Sequence, residues 1–200
     1  RCRYSVLSEK KILRCSEKSL MILRKLTEAD LQLILTWRNA PEVRKSMYTT
    51  QEISEADHRA WFARMEHDPQ ALWYIHQGEN DKPDGVVYFT QYRPENQSSF
   101  WGFYAAPDAP VGTGTKLGLD ALNEAFYVLD LHKLNAEVLI TNERSLRFHK
   151  KLGFCVEGRF RDYHFNGERF IDVIRLGILK SEWSENRTKI ESRITEGNYE

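Results

Sequence analysis

The chain has 200 residues, 41% of them hydrophobic and 29% charged, which suits one domain with a substantial core. Its 29 basic and 29 acidic side chains cancel to a formal net charge of +0, which excludes the basic surplus expected of a general nucleic-acid binder. No run approaches the roughly 18 apolar residues of a membrane span, residues 1–19 lack the apolar centre of a secretory leader, and Cys2, Cys15 and Cys155 stand in no metal-ligand spacing, so a cytoplasmic protein without a metal is expected.

Residues 1–19 show no clear period and read as a poorly ordered extension. Leu20-Met21-Ile22-Leu23 is a short apolar strand. Thr27 and Asp30 then form an approximate capping box for a helix running to about Arg38, and Pro41 ends that region. Ser54 and Asp57 repeat the capping pattern before a second helix carrying Trp61, Phe62 and Met65. Strands follow at 71–77 and 86–92, separated by the turn formers of 78–85, with a third, aromatic strand at 99–105. Residues 115–129 are helical, since Leu117, Ala121, Ala125 and Leu129 recur every four positions. A strand at 133–140 and a helix at 143–152 come next, and beyond Gly153 two strands flank Asn166-Gly167, a strong hairpin signal. From Ser184 the chain is polar and reads as a tail or a frayed helix. The expected organisation is an extension over 1–19, one mixed α/β domain over 20–183 and a polar tail over 184–200.

Candidate chemistry concentrates in two places. Val111-Gly112-Thr113-Gly114-Thr115 lies between the aromatic strand and the amphipathic helix. There, free N–H groups and the positive end of the helix dipole favour phosphate, and glycines allow its close approach. A dinucleotide fingerprint would need a third glycine where Leu117 stands. A Walker loop would need four residues between the glycines and a hydroxyl residue after Lys116, so neither pattern applies. A glycine turn that merely starts a helix stays open as the plain alternative. The second place is Asn142-Glu143-Arg144-Ser145-Leu146-Arg147-Phe148-His149-Lys150-Lys151-Leu152-Gly153-Phe154.

Together these segments resemble the acyl-CoA motifs of the GNAT superfamily of N-acetyltransferases. Asn142, Ser145, Lys151, Gly153 and Phe154 match the second motif at its spacings, and Gly112 and Gly114 match the pyrophosphate loop. Ala109 departs from that loop's first position, and His149 stands where the superfamily has a tyrosine. The resemblance implies a GNAT fold of α/β (α+β) class, with a mixed, mostly antiparallel sheet splayed between its central strands and flanking helices. It implies acetyl-CoA as cosubstrate, with pyrophosphate on residues 111–115 and the pantetheine arm bound by Asn142. Ser145 and Lys151 lie along the same motif. The amine would attack the thioester directly, a strand N–H near Tyr104 would stabilise the oxyanion, and an acid would protonate the thiolate.

The acceptor half, with Trp37-Arg38-Asn39, Glu42-Val43-Arg44, Met47-Tyr48, His58 and Trp61, is similar to enzymes that acetylate the 4-amino group of a UDP-linked 4-amino-4,6-dideoxy sugar in bacterial pseudaminic acid synthesis. That likeness covers about residues 20–183. It implies a UDP-aminosugar partner bound by Arg38, Met47, Tyr48, His58, Thr90 and Tyr104, with Glu137 acting through water on the amine. His149 is then the candidate thiolate acid. Ordinary readings stand beside these: Arg38 as a basic helix end, His58 as a surface histidine, Tyr104 as sheet packing, Glu137 as a partner of some lysine, Lys151 as a solvated lysine, and His149 as a packed ring. Two other functions are also open, a protein N-terminal acetyltransferase of the ribosomal-alanine type and a non-catalytic acyl-CoA-binding module. Homodimers are common among similar enzymes, and neither nucleic acid nor membrane is an expected partner.

Overall fold

A computed structural model describes residues 22–78 and 81–197. The expected extension over 1–19, with Cys2 and Cys15, and Leu20 and Met21 of the first strand lie outside the described residues. In chain order the elements are β1 (Ile22–Lys25), α1 (Leu31–Asn39), α2 (Pro41–Arg44), α3 (Glu55–Met65), β2 (Leu72–Gln77), β3 (Pro83–Arg93), β4 (Ser98–Ala105), α4 (Thr113–Asn123), β5 (Lys133–Leu139), α5 (Glu143–Leu152), β6 (Cys155–Phe165), β7 (Phe170–Leu179) and α6 (Lys180–Thr195). The strands form one sheet of seven in the order β1-β2-β3-β4-β5-β7-β6. All neighbours are antiparallel except β4 and β5.

Strand alternation divides the side chains between two faces. Val87, Phe89, Trp101, Leu134, Ala136, Val138, Leu176 and Ile178 point to the face covered by α4, α5 and α6, where Leu117, Leu122, Phe126 and Leu152 complete the main core. The other face carries Ile75, Val86 and Tyr104 against Leu31, Ile34, Trp37, Val43 and Phe62 of α1–α3.

Local chemistry explains the boundaries. The Thr27 N–H and hydroxyl both donate to Asp30, which Arg24 also holds at 2.6 Å, and the 3-10 turn Glu28–Asp30 so capped leads straight into α1. The Ser54 hydroxyl accepts from the Asp57 N–H at 3.1 Å. Pro41 does more than end a helix: it occupies the first turn of α2, where its missing N–H costs nothing. The predicted 115–129 helix ends differently from expectation, with α4 followed by a π turn over Glu124–Val128. Gly167, at φ +98, makes the hairpin turn between β6 and β7. The segment read as a polar tail from Ser184 instead continues α6 to Thr195. Trp183 at 0% exposure and Ile190 at 2% pack into the main core, so the folded unit passes beyond residue 183.

Candidate active site

The single parallel pair creates the cleft. β4 and β5 are paired only from Ser98↔Lys133 to Phe100↔Asn135, after which β4 runs on to Ala105 and β5 to Leu139 with no partner between them. The unpaired backbone edges of this splay can accept an extended chain as a further strand.

At the open end stands the first turn of α4. Gly112 is its N-cap at φ +93, a conformation other residues rarely adopt. The Thr115 and Lys116 N–H groups return to the Gly112 carbonyl, while those of Gly112 and Gly114 take no partner among the described residues. A side chain at Gly114 would meet nothing within 4 Å. Two free donors at a helix N-terminus, with open space at the Gly114 Cβ position, fit a diphosphate. Val111 is exposed beside them, and the Thr113 and Thr115 side chains are buried, bracing the turn.

The second motif is also a complete helix grammar. Asn142 caps α5, its side-chain oxygen accepting from the Ser145 N–H at 3.1 Å, and Gly153 closes the helix at φ +103. Lys151 is half-buried in the last turn. The two motif helices meet at Gly118, where a Cβ would stand 2.9 Å from the Phe148 ring and 3.0 Å from Leu152. Sequence reasoning passed over Gly118. A glycine inside an amphipathic helix, which costs about 1 kcal/mol relative to alanine, was the available signal.

His149 is a buried ring. The ring is 4% exposed, among Trp101, Phe103, Phe148 and Phe154, and Nδ1–H donates to the Ser145 carbonyl at 2.8 Å. Burial, opposed only by that carbonyl, pushes its pKa down to about 4, so the ring is neutral at pH 7 with Nδ1 carrying the proton.

On the α1–α3 side, Tyr88, Thr90, Phe100, Gly102, Tyr104, Glu137 and Arg175 share one sheet face by register. Tyr88 crosses Gly102, where a Cβ would sit 2.2 Å from its hydroxyl. Glu137 is held at both oxygens: Arg175, its cross-strand partner, lies 3.2 Å from Oε1, and the Tyr48 hydroxyl donates to Oε2 at 3.3 Å. The Arg175 guanidinium rests 4.3 Å above the Phe100 ring. Burial and the neighbouring Glu137 both raise the Tyr48 pKa, keeping its phenol protonated as the donor.

Arg38 donates from Nη2 to the Thr49 carbonyl at 2.9 Å, but its Nη1 is buried without a partner, as is Nε of Arg44. Burial lowers the Arg38 pKa against the opposing effect of Tyr104 and Tyr88, and the Arg44 charge lowers it a little further. Met47 is half-buried against the same small core. Arg44 and Arg175 were given no role from sequence, because only the folded chain brings them to this face. His58 is separate from this group. Its ring is buried, turned to the Leu31 carbonyl and stacked on Trp61 at 5.0 Å, and its pKa is lowered mainly by burial.

Among the described residues no helix is long and apolar enough to cross a membrane, and no group of three or more His, Cys, Asp and Glu could hold a metal ion.

Comparison with known proteins places this architecture. Residues 21–155 match the Acetyltransferase (GNAT) domain family. The chain is 24% identical over 140 residues to acetyltransferase PseH of Campylobacter jejuni, covering 70% of this chain and 86% of that protein. It is also 24% identical over 166 residues to spermidine N(1)-acetyltransferase of Vibrio cholerae, covering 82% and 96%. The crystal structure of spermidine N-acetyltransferase from Vibrio cholerae in complex with CoA and spermine superposes with a TM-score of 0.76 at 23% identity, over 82% of this chain and 98% of that one. With the family match spanning most of the chain and the sheet splayed as described, the protein belongs to the GNAT acetyltransferases and is an acetyl-CoA-dependent N-acetyltransferase.

Proposed function

We propose that the acceptor is the 4-amino group of a UDP-linked 4-amino-4,6-dideoxy sugar. The observation that carries this reading is the pair of buried guanidinium donors, Arg38 Nη1 and Arg44 Nε, with no partner and no carboxylate paired to either side chain among the described residues. Buried cationic donors left unsatisfied are costly, and an anionic acceptor such as a diphosphate satisfies them. Spermidine acetylation is the competing reading, favoured by the likeness to the Vibrio cholerae enzyme. A polyamine would place ammonium groups against these arginines, and the glutamate on the same face, Glu137, is already matched by Arg175.

In this account residues 111–115 hold the acetyl-CoA pyrophosphate, and Asn142, Ser145 and Lys151 lie along the donor. Arg38, Tyr88, Thr90 and Tyr104 receive the nucleotide-sugar, with Met47 and Tyr48 at the sugar. Glu137, fixed by Arg175 and Tyr48, accepts the amine proton through water. The amine nitrogen then bonds to the acetyl carbon, a β4 N–H near Tyr104 stabilises the oxyanion, and the C–S bond breaks on collapse. The neutral His149 packs beside the donor, and the thiolate takes its proton from solvent. Arg38→Ala tests the reading: the KM for the UDP-aminosugar should rise about ten- to a hundredfold with the KM for acetyl-CoA unchanged. Both constants untouched would reduce Arg38 to a helix-end residue.

A further inference from the structure

His76 lies in β2 with no exposed surface and takes no part in the chemistry above. Its Nδ1 is 2.5 Å from Oδ1 of Asp84 at the start of β3, and its Nε2 is 3.1 Å from Oδ2 of Asp120 in α4. A ring with a carboxylate on each nitrogen satisfies both only as the imidazolium, which donates twice. Burial opposes that charge, but the hydrogen bonds and charges of Asp120 and Asp84 outweigh it and raise the pKa to about 9. The Asp120 pKa is raised by burial against the pull of His76, with the Asp84 charge raising it further and the charge of Lys116, also on α4, lowering it.

The tie reaches both ends of the phosphate loop. The Asp84 carbonyl accepts from the N–H of Ala106, the first residue past β4, at 2.8 Å. The Asp84 side chain reaches α4 through His76 and Asp120. The eight steps from Gly112 to Asp120 span about 12 Å of helix. α4 is also pressed against β3 at Gly85, where a Cβ would lie 2.4 Å from Leu117.

We propose that His76 is a positioning residue for the acetyl donor, bridging Asp84 and Asp120 so that α4 presents the Gly112 and Gly114 N–H groups to the pyrophosphate. This rests on residues 111–115 being the pyrophosphate site. Calorimetry of acetyl-CoA binding to the full chain tests it. His76→Gln should weaken donor binding by about tenfold or more, while the acceptor KM and kcat at saturating donor stay within about twofold. Wild-type donor binding should hold steady near neutrality and weaken as the pH passes about 9, with Asp120→Asn moving that loss to lower pH. If His76→Gln does not fold, the pH series decides. Unchanged donor affinity in folded His76→Gln, or a flat wild-type series over roughly pH 7–10, overturns the proposal. A Gly114→Glu variant that still binds acetyl-CoA would show instead that the loop assignment had failed.

Discussion

Replacing His149 with phenylalanine should leave turnover almost unchanged. The ring is enclosed by four aromatic side chains and its Nδ1 proton is committed to the Ser145 carbonyl. With the pKa pushed down to about 4, roughly one ring in 3,000 carries a second proton at pH 7.5, and charging it there costs about 5 kcal/mol. Such a group makes a poor standing acid for a thiolate. Phenylalanine keeps the aromatic packing and loses one hydrogen bond, worth about 1 kcal/mol of stability. The assay is kcat at saturating acetyl-CoA and acceptor across pH 6–9 for wild type, His149→Phe and His149→Tyr. The account predicts wild-type and phenylalanine rates within about threefold at every pH, and no gain from tyrosine. A loss of about tenfold or more in the phenylalanine variant, with tyrosine restoring it, would show that the bound donor recharges the ring and that His149 is the acid after all.

Gly114→Glu should abolish acetyl-CoA binding in calorimetry while the melting temperature holds, since the space beside Gly114 is open and the new carboxylate would repel a pyrophosphate. Ile190→Ala should lower stability by about 2–5 kcal/mol in chemical denaturation, because Ile190 is 2% exposed in the main core; a change below about 0.5 kcal/mol would detach the end of α6 from the fold. His76, with its folded pKa raised from 6.5 to about 9, contributes stability that is full below pH 6.5 and lost as pH rises towards 9. The size is on the order of 3 kcal/mol, and a wild-type pH–stability curve with no more loss over that window than His76→Gln would refute it.

What could be read in the chain was local. The bounds of α5 follow from Asn142 and Gly153, which start and stop a helix whatever else they do, and the β6–β7 turn follows from Asn166-Gly167. The splay could be expected only through the resemblance, because no residue pattern says where β4 and β5 cease to pair. The docking of α6 on the core was not legible because its buried residues, Trp183 and Ile190, are seven positions apart in a run of charged and polar neighbours, too sparse for a hydrophobic stripe. The role of Arg44 and the His76 bridge escaped for a different reason. Arg44 matters for a partner that its Nε lacks beside Arg38, and His76, Asp84 and Asp120 come from three elements across 44 residues. For His149 the position in the motif is legible, while the aromatic enclosure that lowers its pKa is not.

The acceptor is the central claim, and parallel turnover measures it most directly. Acetyl-CoA consumption by the full chain should be followed with a UDP-linked 4-amino-4,6-dideoxy sugar, with spermidine, and with peptides beginning in Ala or Ser. The two buried, unpartnered guanidinium nitrogens, Arg38 Nη1 and Arg44 Nε, predict that the nucleotide-sugar gives the highest kcat/KM, and that UDP alone competes with it. Preferential acetylation of spermidine or of a peptide, with UDP having no effect, would contradict the account.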